Sequence, residues 1–142
     1  MLQFFTRRLR NERGFTLIEL LIVVAIIAIL AAILIPNFLR ARAQSQVSAS
    51  KGNMKNIATA LESYFVDNGA YPQSLAALSA APQNYIRTTP LDPCTNSAYV
   101  YTPNANPATD YTLATPPAWA SSPCNAIVNG GLTYTPGGGL SP

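Results

Sequence analysis

Residues 20–35, LLIVVAIIAILAAILI, are 16 consecutive apolar residues, and a helix that is apolar on all sides must lie inside a large protein or a membrane. With FTLIE before the run and PNFL after it, the segment reaches 25 residues, against the roughly 20 that cross a bilayer as a helix. Arg7, Arg8, Arg10 and Arg13 stand immediately before it. Basic residues hold their side of a span in the cytoplasm, so the N-terminus stays inside and the chain beyond about residue 40 is exported. A conventional cleaved signal has a shorter apolar core followed by an A-x-A-like cleavage site, and this long run followed by IPNFLRARAQ does not read as one. The expected topology is a single pass with the C-terminus outward.

The rest of the composition narrows the chemistry. The chain contains no histidine, which removes the usual general base, the histidine-assisted nucleophile and most mixed zinc sites. The formal charge of +3 comes wholly from the leader, where four arginines face Glu12. From Phe15 onward Arg40, Arg42, Lys51, Lys55 and Arg87 balance Glu19, Glu62, Asp67, Asp92 and Asp110. A balanced exported part argues against nucleic acid as a partner.

Two residues do not suit a passive anchor. Glu19 places an ionisable group at the start of the apolar run, where a charge is costly unless it meets a partner or the helix N-terminal dipole. Pro36 lacks an N–H, and its ring opposes the carbonyl of Ala32, so a helix through this point is kinked or locally opened.

Arg13-Gly14-Phe15-Thr16-Leu17-Ile18-Glu19, followed by the apolar run and Ile35-Pro36, resembles the class III signal of type IV pilins and type II secretion pseudopilins. The resemblance implies that a prepilin peptidase cuts after Gly14 on the cytoplasmic side and methylates the new terminus at Phe15. It implies that Glu19 meets a neighbouring subunit's terminal amine during assembly, with Pro36 in the same assembly segment. It also implies an inner-membrane platform protein and a motor ATPase as partners, and a homopolymer as the product. The physics agrees, because a carboxylate and an ammonium are each penalised in hydrocarbon and are relieved together.

Beyond Leu39 the chain turns polar but stays helix-compatible to Phe65, and Asp67-Asn68-Gly69 supplies a stop. A helix from Phe15 to Val66 would be about 78 Å long. Met54, Ile57, Ala58, Leu61 and Phe65 share one side of it and should face a small exported domain. Residues 70–93 read as an amphipathic or irregular linker. SAYVYT and DYTLAT read as strands, Leu132–Thr135 as a further one, and GGG at 137–139 as flexible tail. The organisation expected is a leader at 1–14, a membrane and assembly half-helix at 15–39, an exported half-helix at 40–67 and a loop-rich β domain at 68–142. The fold class is α+β, one long helix packed on a small antiparallel sheet.

Cys94 and Cys124 are the only cysteines, and in an exported domain they could pair as a staple. A redox or metal role is the alternative, and neither CxxC spacing nor histidine supports it. Many pilins have a similar disulfide-bounded C-terminal loop. DNGAYPQSLAAL, then YIRTTPLDP, then AYVYTPNANPATDYTLAT resemble in order the major type II secretion pseudopilin. Cys94 stands where that family has an aromatic residue, and its acidic calcium loop has no counterpart here. Asp110 alone falls short of the roughly 6 to 8 oxygens calcium takes, so no metal or cofactor is expected.

The functional reading is a structural filament subunit, in a surface pilus or a periplasmic pseudopilus. Other classes are a membrane-tethered enzyme or binding domain, a minor pilin binding DNA or a surface at the filament tip, and electron transfer along Phe15, Phe38, Tyr64, Phe65 and Tyr71. No nucleophile, base or phosphate loop can be assembled after Gly69 to favour an enzyme. These aromatics also serve as ordinary packing anchors.

Overall fold

The structure, a computed structural model, describes residues 14–142. The leader charges at Arg7, Arg8, Arg10, Glu12 and Arg13 lie outside the described residues. One helix, α1, runs Leu17–Asn68 over 52 residues. The sequence predicts the same length two residues earlier, and the offset has a local cause. The Thr16 hydroxyl accepts from the Glu19 amide at 3.3 Å, while the Thr16 amide donates to Glu19 Oε2 at 2.9 Å. This reciprocal capping box leaves Thr16 outside the helix as its cap. At the other end the Gly69 amide reaches the Phe65 carbonyl at 2.8 Å with φ +71°, a left-handed terminator suited to glycine.

The chain divides into two compact units, one ending at Phe38 and the other spanning Leu39–Pro142. In the first, residues 17–38 are α1 alone and no described residue is buried. The helix is continuous through Pro36, where the sequence predicts a kink or a local opening. The Asn37 side-chain amide donates to the Ile33 carbonyl at 3.2 Å in this turn.

The second unit holds the core. Met54, Ile57, Ala58 and Leu61 are buried, and Phe65 packs partly buried against the same cluster. The buried stripe extends back through Ser50, Val47 and Ala43 at steps of three and four, one helix face. Facing it is a four-stranded antiparallel meander in the order β1 (Val100–Pro103), β2 (Tyr111–Ala114), β3 (Thr133–Thr135) and β4 (Gly139–Ser141). Tyr101 pairs with Leu113, Leu113 with Tyr134, and Tyr134 with Leu140. Reading GGG at 137–139 as flexible tail is wrong. Pro136–Gly138 form the turn of a β3–β4 hairpin, with the Gly138 amide on the Thr135 hydroxyl at 3.1 Å and Gly139 at φ +69° opening β4.

Between helix and sheet, Trp119, Tyr111, Leu113, Leu132 and Leu78 are fully buried, each side chain of this size contributing about 1.5–3 kcal/mol. The linker is short and ordered by contacts. A 3₁₀ turn covers Leu75–Ser79, the Tyr71 amide pairs with the Ala108 carbonyl at 2.9 Å, and the Tyr101 hydroxyl donates to the Pro72 carbonyl at 2.7 Å. Two further 3₁₀ turns, Pro117–Ser121 and Pro123–Ala126, each begin on proline, whose fixed φ suits a first helical position.

Candidate assembly interface

The residues singled out at the N-terminus form a compact polar start to an otherwise apolar rod. Gly14 and Phe15 are exposed, and no heavy atom lies within 4 Å of where a Gly14 side chain would begin. Glu19 Oε2 takes both Thr16 donors, the amide at 2.9 Å and the hydroxyl at 2.6 Å, while Oε1 takes no hydrogen bond among the described residues. One oxygen therefore holds the helix start. Thr16 is the residue the sequence reading passes over. Its signal was present, because a Thr three residues before a Glu at the head of an apolar run is a capping box.

From Leu17 to Leu39 every Leu, Ile, Val and Phe side chain is exposed. Residues 20–35 include 12 Leu, Ile or Val, worth about 4 to 7 kcal/mol toward insertion at roughly 0.3–0.6 each. One charged side chain costs roughly 2.5–3.5 kcal/mol even at the bilayer centre. The apolar run wins, and Glu19 does not prevent a span.

In the second unit the structure joins Cys94 to Cys124 across 30 residues, so neither is a free thiol or a metal ligand. Cys124 is fully buried beneath α1, and Gln46 of the helix donates to the Pro93 carbonyl beside Cys94 at 3.1 Å. Next to it lies a polar cluster the sequence does not reveal. Asp92 is fully buried, its Oδ1 accepting from the Ser50 hydroxyl at 2.7 Å and its Oδ2 from the Thr95 amide and hydroxyl at 2.9 and 2.8 Å. With the Ser50 proton committed to Asp92, the Tyr99 hydroxyl donates to the Ser50 oxygen at 3.0 Å. Every strong acceptor position is met by a neutral donor, which makes this a structural anchor between helix and loop.

The other carboxylates are likewise held by neutral donors. Tyr71 donates to both Glu62 oxygens at 3.0 Å, Tyr85 to Asp67 at 2.9 Å, and the Tyr111 amide to Asp110 at 2.8 Å. Burial, followed by the Glu62 carboxylate, pushes the Tyr71 hydroxyl up to about 12, and burial pushes Tyr101 up to about 12 as well. Among the described residues no group of three or more His, Cys, Asp or Glu is placed to hold a metal ion.

Of the aromatics that electron transfer would use, Phe65 packs tilted against Tyr71 with ring centroids 4.6 Å apart and Tyr64 meets Tyr85 edge to face at 5.3 Å, whereas Phe15 and Phe38 stand exposed on the apolar rod. Arg40, Arg42, Lys51 and Lys55 are exposed along α1.

Comparison with known proteins follows the same division of the chain. The prokaryotic N-terminal methylation motif matches residues 9–35, and type II secretion system protein G matches residues 37–116. The type II secretion system core protein G of Pseudomonas aeruginosa is 39% identical over 101 residues, 61% of this chain and 71% of that protein. The type IV major pilin protein PilA of Myxococcus xanthus is 51% identical over 73 residues, 51% of this chain and 33% of that protein. The type IV wide pilus major component PilA4 of Thermus thermophilus is 50% identical over 70 residues, 49% of this chain and 53% of that protein.

Proposed function

The chain belongs to the type II secretion system protein G family, and from that premise we propose that it is the major subunit of a helical secretion pseudopilus, anchored in the membrane before assembly. Prepilin peptidase cuts after Gly14 and methylates Phe15, the 15–39 segment crosses the inner membrane, and residues 40–142 lie in the periplasm. A platform protein and a motor ATPase then move the subunit from bilayer to filament.

The observation that carries this reading is an apolar rod that no described residue covers, with a single carboxylate of which one oxygen takes no hydrogen bond among the described residues. A bilayer covers the rod first and other copies cover it later. In the bilayer both Glu19 and the new amine at Phe15 are penalised, and docking one subunit's amine on the next subunit's Glu19 relieves both. Wrong registers leave the charges unpaired, so the pair sets the stagger between copies. Identical subunits joined through two different surfaces repeat by a screw operation, which produces an open filament without further design.

The test is intact-mass analysis without reductant of the protein from sheared filaments and from the remaining envelope of its native cells. Processed chains starting at methylated Phe15 and retained in the envelope fit the pseudopilus. The same species concentrated in the sheared fraction fits a surface pilus, the second reading, which the half-identity to two major pilins favours. Unprocessed chains in both fractions would sink either form.

A further inference from the structure

At the start of the second unit, α1 and the disulfide-bounded loop enclose an open groove of about 430 Å³ lined by Leu39, Arg40, Ala43, Pro123, Ala126 and Ile127. A second hollow of about 300 Å³ continues it past Arg42 and Gln46 to Cys94. The larger groove is walled almost entirely by carbon, with Pro123 and Ala126 exposed at its mouth. Arg40 and Arg42 stand beside these hollows, exposed, and Asp92, the carboxylate two residues before Cys94, is buried and fully engaged.

The position of this groove in the chain gives its meaning. Leu39 is the last residue of the apolar segment and Arg40 the first charge after it. The helical wall of the groove therefore starts, along the chain, where a span gives way from acyl chains to headgroups. An apolar hollow rimmed by two unneutralised arginines matches one occupant at that depth. We infer that this groove seats an anionic phospholipid of the outer leaflet of the inner membrane, with an acyl chain against Leu39, Ala43, Pro123 and Ile127 and the headgroup phosphate on Arg40 and Arg42.

Arginine suits the role, because its planar fork pairs bidentately with phosphate and its stem packs on apolar surface. Lipid bound here would hold the exported unit against the bilayer until extraction. Leaving the membrane then requires release of this lipid, and the vacated groove becomes available to the neighbouring subunit. The inference rests on the 15–39 segment being a span, so the experiment checks insertion first.

The full chain is reconstituted in vesicles of phosphatidylcholine with and without phosphatidylglycerol, and alkaline carbonate extraction verifies insertion. Benzoylphenylalanine is placed at position 126, with position 105, an exposed loop site, as control. After irradiation, mass spectrometry counts phospholipid adducts and crosslinked dimers. The expected result is lipid adduct at 126 and none at 105, with phosphatidylglycerol enriched over its share of the vesicle. Arg40→Gln and Arg42→Gln should each lower that enrichment about fivefold, the size of one basic residue near an anionic leaflet. An inserted chain with equal adduct at both positions, with no phosphatidylglycerol preference, or with dimers in place of lipid adducts would overturn the inference and leave the pseudopilin reading standing. A chain that carbonate extracts would overturn the span itself.

Discussion

Glu19 carries two jobs that a single substitution can separate. As a capping-box partner it holds the Thr16 amide and hydroxyl, and in the proposed assembly its charge receives a neighbour's amine. Glu19→Gln keeps a hydrogen-bonding cap and removes the charge, whereas Glu19→Ala removes both, the cap being worth roughly 0.5–2 kcal/mol. Both variants are expected to insert normally and to assemble poorly, with filament yield as the readout; wild-type yield from Glu19→Gln would reduce Glu19 to its cap. Ser50 makes a different kind of prediction. Ser50→Ala strips a donor from the buried Asp92 and an acceptor from Tyr99, and should cost about 1–3 kcal/mol, read as a fall in denaturation midpoint. Nothing local marks that pair, because 42 residues separate Ser50 from Asp92 and only the folded chain brings them together. Tyrosine titration tests the core from another side. Tyr71 and Tyr101 are raised from 10.0 to about 12, chiefly by burial, so the fold favours their neutral forms. That contribution is complete below pH 10 and is lost as the pH rises through about 12. Tyrosinate absorbance and near-ultraviolet circular dichroism should therefore change together in that window. The Tyr71→Phe variant should show a shallower pH dependence. Tyrosinate formation near pH 10 with native dichroism that disappears in the Tyr71→Phe variant would contradict the burial of Tyr71.

At the scale of elements, what the sequence makes visible follows the range of the signal. α1 was legible to within two residues at each end because a period near 3.6, a cap and a glycine stop are all local. The strands at 100–103 and 111–114 were legible from β-branched and aromatic alternation. The β3–β4 hairpin was not, since three glycines in a row match flexible chain as well as a turn. Only the pairing of Tyr134 with Leu140 decides it. The Cys94–Cys124 loop makes its own prediction. Closing 30 residues removes unfolded-state entropy worth about 3 to 4 kcal/mol. The double Cys94→Ser, Cys124→Ser variant should lose stability of that order and expose the loop to protease. Unchanged stability would mean the Trp119 packing and the Asp92 anchor hold the loop without the covalent link.

For the whole molecule, the distribution of burial separates what folds from what assembles. Among the described residues every buried one lies at or beyond Ala43, and the second compact unit begins at Leu39. Removing the chain before Leu39 therefore removes no buried side chain, no part of the sheet and neither cysteine. A fragment of residues 39–142 should fold with its disulfide, stay soluble without detergent and remain monomeric at concentrations where the processed full chain polymerises or needs a bilayer. The contrast follows from where the uncovered apolar surface sits. Between Phe15 and Leu39 the large apolar side chains are more than half exposed, far beyond the patches a soluble monomer tolerates. That surface is the driving force for insertion and, once other copies replace lipid, for the filament core. Sedimentation of the fragment beside the full chain decides the matter. A fragment that forms filaments unaided would move the driving force into the exported unit and leave the apolar helix as a membrane anchor only.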